Sequence, residues 1–161
     1  MTILSIVKHP AAILETKCQP ITIFDSKLKR LVRDMQETMI EADGVGIAAP
    51  QVGKDMRLAI VDIEDDHGLI VLINPELLSA EGKQTDVEGC LSFPDLYGEV
   101  TRPNQIKIKA QNVKGQFYTF EAEGFLARAI LHEMDHLDGV LFTSKVKKYI
   151  PAEELEKVDA E

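Results

Sequence analysis

Gly124-Phe-Leu-Ala-Arg-Ala-Ile-Leu-His-Glu-Met-Asp-His-Leu-Asp-Gly139 is the stretch whose reading decides the fold. Its spacing predicts a helix that begins near Gly124, continues through Leu137 and stops at Gly139. Within it, His132-Glu-Met-Asp-His136 is an HExxH pattern. Two histidines four apart on a helix stand one turn above each other, so both imidazoles can reach one metal ion. Glu133, between them, can take a proton from a water activated there. Ala129, Ile130, Leu131, Met134 and Leu137 flank the pattern and predict a largely buried helix. Buried imidazoles need partners. A metal therefore explains the pair better than a solvated face with ordinary hydrogen bonds.

Working outward, the rest of the chain alternates helix and strand signals. Asp25 or Ser26 caps a helix that runs to about Asp43, with Leu28, Leu31, Val32, Met35 and Met39 on one face. Gly44 ends it. Arg57–Asp62 and Leu69–Asn74 are short apolar runs that read as strands. Ile106, Ile108 and Ala110 alternate with Lys107, Lys109 and Gln111, which is the period of a half-solvated strand. Asn112–Gly115 reads as its hairpin turn and Phe117–Ala122 as the return strand. Pro151, followed by Glu153 and Glu154, opens a short terminal helix. The fold class is α+β: small antiparallel or mixed sheets packed around a central HExxH helix, with an N-terminal-half helix and a short C-terminal one. The 161 residues fit a single domain, 1–161, with an acidic tail from about residue 149.

Composition narrows the function classes. Eighteen Lys and Arg against 27 Asp and Glu give a net charge of −9, which argues against a DNA or anionic-membrane binder. The longest apolar run, Leu69–Ile73, is far short of the ~20 residues that span a bilayer. The opening MTILSIVKHP lacks the apolar core and cleavage site of a secretory signal. Two cysteines, Cys18 and Cys90, cannot build a disulfide framework and suit a reducing compartment. A cytoplasmic monomer is the expectation.

Two histidines do not complete a catalytic metal site, which takes three protein ligands and keeps one position open. Glu156 stands about twenty residues beyond the second histidine, a spacing used by one class of zinc peptidase, but it lies in a solvated acidic run. Cys90, in Glu88-Gly-Cys-Leu-Ser92, has a flexible glycine beside it and apolar neighbours to shield a thiolate. Cys18, between Lys17 and Gln19, reads as a bystander thiol. On residue chemistry Cys90 is modestly favoured and Glu156 stays open. Gly44-Val-Gly-Ile-Ala-Ala-Pro-Gln-Val-Gly53 follows a helix and lacks a Lys-Ser/Thr, which excludes a phosphate loop. Its small residues admit another backbone closely. Gln51 can donate a hydrogen bond to an oxygen that becomes negative in a transition state.

Together, GVGIAAPQVG at 44–53, EGCLS at 88–92 and HEMDH at 132–136 resemble the three signature motifs of the peptide deformylase family. Order and spacing match from the KHP opening to the LFTSKV after the metal helix, and the length looks like the shorter bacterial type. The resemblance implies hydrolytic removal of the formyl group from N-formylmethionine on new polypeptides, with release of formate. It implies Cys90, His132 and His136 as ligands of Fe2+, with Zn2+, Ni2+ or Co2+ as substitutes. Glu133 becomes the general base, while Gln51 and the Leu91 N–H become oxyanion donors. By matched position, Gly46 and Gly89 bind the peptide backbone, and Val45, Phe125, Arg128, Ala129 and the His132 edge line the methionine pocket. Glu88 and Arg102 match an ion pair that steadies the Cys90 loop.

The chain departs from the family pattern in three places. Pro10-Ala-Ala-Ile-Leu14 lacks the charged residues often found there, and Leu131 replaces a glutamine common before the first metal histidine. Beyond Lys148 the tail is short and acidic, which predicts weak association with ribosomal RNA.

Overall fold

The computed structural model describes residues 2–151. The helix expected to start at Pro151, and Glu156 with it, falls on residues outside that range. Helix α1 spans Ser26–Glu41, and Asp25 caps it by accepting a hydrogen bond from the Leu28 N–H at 3.1 Å. Leu28, Val32, Met35 and Met39 are its buried stripe. The strands follow as β1 (Gly46–Ala48), β2 (Leu58–Val61), β3 (Ile70–Glu81), β4 (Gln84–Cys90), β5 (Phe93–Arg102), β6 (Gln105–Gln111) and β7 (Phe117–Glu123). Helix α2 (Gly124–Leu137) and strand β8 (Val146–Ile150) complete the described elements.

One sheet has the order β1-β2-β3-β6-β7 and the other β4-β5-β8, and every pairing is antiparallel. Helix α2 lies on the larger sheet, where Leu126, Ala127, Ile130 and Leu137 meet Ala48, Ala59, Val61, Leu72 and Ile108 in one core. A second core joins the α1 stripe to Ile47, Leu58, Ile60 and Ile73. The strands of the larger sheet are therefore apolar on both faces where β2 and β3 run. That explains why Leu58–Val61 reads as an unbroken apolar run and not as an alternation.

Several elements differ from the sequence expectation. Strand β3 runs on past Pro75 to Glu81, although proline normally ends a central strand. Its pairing with β2 stops at Ile73, and its register with β6 shifts between Ile73 and Glu76, so Pro75 sits at an irregularity where no ladder bond is needed. Strands β4, β5 and β8 escape sequence reading because they have little apolar alternation. The glycine-rich segment, to which the sequence assigned no strand, contains β1 and a 3₁₀ turn at Ala49–Val52. Tyr149 and Ile150, assigned to the tail, pair with Gly98 and Tyr97 in β8.

Candidate metal centre

The end of β4 and the C-terminal half of α2 meet at one point, where both histidines are buried and Cys90 is half-buried. Cys90 is the last residue of β4, where the register with β5 breaks between Gly89 and Cys90. His132 and His136 are 8 % and 1 % exposed, and their rings lie 5.1 Å apart. The donor atoms of Cys90, His132 and His136 all lie within 4.8 Å of one another, and Cys90 Sγ is 3.2 Å from His136 Nε2. Tetrahedral bonds of ~2.0–2.3 Å put ligand atoms about 3.5 Å apart. The cluster therefore fits a small transition-metal ion. Among the described residues it is the sole such cluster. Cys18 is buried elsewhere, where burial and the nearby Asp55 push its thiol up to about 11.

Glu88 organises the cluster from behind. Its Oε1 accepts from His132 Nδ1 at 2.9 Å, which leaves His132 Nε2 free for a metal. Arg102 grips both carboxylate oxygens, and its Nη1 also reaches Asp135 at 2.9 Å. Burial opposes ionisation of Glu88, but Arg102 and His132 outweigh it and hold the carboxyl well below its usual range. Burial likewise opposes a charge on His132, while Cys90 and Glu88 push its pKa up. His136 goes the other way: burial, then the charge on His132, lowers it.

Glu133 is 5 % exposed, and its Oε1 has no hydrogen-bond partner. Burial pushes its carboxyl up to about 7, against the attraction of His132 and Arg102. A buried carboxylate oxygen without a donor awaits a ligand or water. Gln51 is 1 % exposed and held from both ends. Its Oε1 accepts from the Ala48 N–H at 2.9 Å, so Nε2 is turned toward Ser92 Oγ at 3.2 Å and Cys90 Sγ at 3.5 Å.

A cavity of about 730 Å³ opens over the cluster. Of the residues singled out in the sequence, Val45, Gly46, Gln51, Glu88, Gly89, Cys90, Leu91, Phe125, Arg128, Ala129, His132 and Glu133 all border it. Arg128 directs its guanidinium away from the open space, onto Glu88 and two backbone carbonyls. Arg102 and His136 do not border the cavity. Sequence reasoning missed Lys8, which borders the cavity and donates to the Leu91 carbonyl at 3.2 Å, and Ser92, which partners Gln51. Both stood inside quoted motifs, yet only their neighbours carried a chemical reason.

Two buried histidines and a half-buried cysteine, open to a cavity and flanked by an unpartnered glutamate, make the kind of arrangement a metal-dependent hydrolase uses. Residues 3–151 match the family model for polypeptide deformylase. The chain is 58% identical over 156 residues to peptide deformylase 1 of Bacillus cereus, covering 97% of this chain and 100% of that one. With the Bacillus subtilis peptide deformylase 1 it shares 56% over 155 residues, 96% and 97% of the two chains. The crystal structure of the Thermotoga maritima peptide deformylase superposes with a TM-score of 0.88 at 39% identity, covering 91% of this chain and 99% of that one. The chain belongs to the polypeptide deformylase family.

Proposed function

We propose that this protein hydrolyses the formyl amide of N-formylmethionine at the start of new polypeptides, releasing formate and a free amino terminus. The observation that carries this reading is the convergence of Cys90, His132 and His136 beside Glu133, at a cavity that Gln51 also borders. Cys90, His132 and His136 hold the metal; when bound, the metal supplies Lewis acidity toward the formyl oxygen and the attacking water. Ferrous iron is the proposed native ion on the strength of the family resemblance, and one thiolate with two imidazoles suits iron and zinc alike. Glu133 accepts the proton of the attacking water and passes it to the departing amine. The Gln51 side-chain amide and the Leu91 N–H donate to the oxygen as it becomes negative.

The peptide lies between two free strand edges. Strand β1 ends the larger sheet and β4 ends the smaller one, and Gly46 and Gly89 from these edges both border the cavity. An extended chain can add to such edges through backbone hydrogen bonds. Val45, Phe125, Ala129 and the neighbouring Arg128 stem and His132 edge form the slot for the methionine side chain, whose unbranched thioether adapts to an apolar wall. The family match over 3–151 supports reading 1–161 as one catalytic domain. The protein acts in the cytoplasm as a monomer, on nascent chains, with weak ribosome association because of its acidic tail. No helix among the described residues is long and apolar enough to cross a membrane.

The test is formate release from formyl-Met-Ala-Ser by anaerobically purified protein, loaded with iron or with zinc. Activity that requires metal and disappears in Glu133→Ala is expected. Undiminished formate release by Glu133→Ala overturns the mechanism.

A further inference from the structure

Arg128 stands one helical turn before His132 and is 2 % exposed, although it is the one charged residue between Ala127 and Ala129. Its Nη1 donates to Glu88 Oε2 at 2.6 Å and to the Val100 carbonyl at 2.9 Å, and its Nη2 donates to the Gln84 carbonyl at 3.2 Å. Its Nε finds no partner. Gln84 and Glu88 belong to β4, Val100 to β5 and Arg128 to α2. These three bonds therefore fasten the helix that carries both histidines to the small sheet that carries Cys90.

The carboxylate of Glu88 is fully engaged as a result. An ionised carboxylate offers about four lone-pair positions. Oε1 accepts from Arg102 Nη2 and His132 Nδ1, while Oε2 accepts from Arg102 Nε and Arg128 Nη1. Arg102 alone already supplies Glu88 with a counter-charge, so neutralisation does not require a second buried guanidinium. A second buried cation with an unpaired Nε is costly where an apolar side chain would pack. What Arg128 adds is geometry: it fills the last acceptor position and stops the carboxylate from rotating away from His132.

We propose that Arg128 is a positioning residue for the metal centre. It locks Glu88 against His132 and registers α2 on β4 and β5, so that donors from two separate elements converge on one ion. This rests on reading Cys90, His132 and His136 as the ligands. Loss of partners behind metal ligands typically weakens metal binding by about 10–100-fold.

The experiment measures Co2+ binding to the full-length apoprotein by chelator competition, follows the thiolate-to-cobalt absorption, and determines KM for formyl-Met-Ala-Ser at saturating metal. Arg128→Met is expected to bind Co2+ about 10–100-fold more weakly, whatever the lost stem does to KM through the methionine slot it borders. Arg128→Lys keeps a charge but has no fork to reach both strands, and falls between the two. Wild-type Co2+ affinity in Arg128→Met, with or without a raised KM, overturns the proposal and leaves Arg128 a packing and substrate-pocket residue only. If Arg128→Met does not fold, wild-type affinity in Arg128→Lys overturns it instead. Co2+ binding that survives in His136→Ala with full absorption sinks the ligand assignment and not the role of Arg128.

Discussion

Glu88 Oε1 lies 2.9 Å from Nδ1 of His132, and that contact sets which nitrogen of the imidazole is left for a metal. Both residues are more than nine-tenths buried, so neither can turn to water for a substitute partner. Glu88→Ala leaves the buried Arg128 guanidinium with backbone carbonyls alone and Arg102 with Asp135 as its one carboxylate near the cluster. Breaking a buried ion pair in this way costs about 3–5 kcal/mol. Urea denaturation of Glu88→Ala against the unmodified protein is expected to show a loss of that size.

The proposed ligand set and general base separate by substitution. Cys90→Ser removes the thiolate and is expected to lose both bound metal and formate release. Glu133→Ala leaves all three donors in place. It is expected to keep its metal while formate release falls by about 10²–10⁴, the usual worth of a positioned base. Metal content by atomic emission, read beside a formate assay, checks both.

At Gly46 the backbone passes close to Glu133, the proposed base. A Cβ there would stand 2.5 Å from Glu133 Oε2. The side chain cannot stay where it is, and displacement by about 1 Å can cost about 10²-fold in rate. Gly46→Ala is thus expected to lose formate release on that scale while metal content and thermal midpoint stay near those of the unmodified protein. Unaltered activity in this variant would show that Glu133 is not held at β1.

Gln51 gives a complementary test, because its carbonyl oxygen is fixed by the Ala48 N–H and its amide nitrogen faces the metal cluster. Gln51→Ala is expected to lower kcat by about 10²–10³, with metal binding preserved. An effect confined to KM would place the side chain in binding instead.

Cys18 carries a pH dependence remote from the metal. Burial pushes its thiol from an ordinary 9.0 up to about 11, so the folded state favours the protonated form. The stability this contributes is fully present below about pH 9 and is lost as pH rises toward about 11. The urea midpoint of the unmodified protein is expected to fall more steeply over that window than the midpoint of Cys18→Ala.

The sequence by itself determined the chemistry. His132 and His136 at a four-residue interval on an apolar helix, and Glu133 between them, could be read because helical periodicity turns spacing into direction. The same locality made α1, the β6–β7 hairpin and the Asp25 cap legible. Tertiary structure alone decided how Cys90 reaches His136, 46 positions away, and how Arg128 reaches Glu88, 40 positions away. It also decided that β4, β5 and β8 exist at all, since Gln84–Cys90 has no apolar alternation and is a strand because β5 supplies its hydrogen bonds. Local periodicity is written in the chain, but a buried carboxylate that gathers two arginines and a histidine is a property of the packed interior, where unpaired charge is too costly to leave.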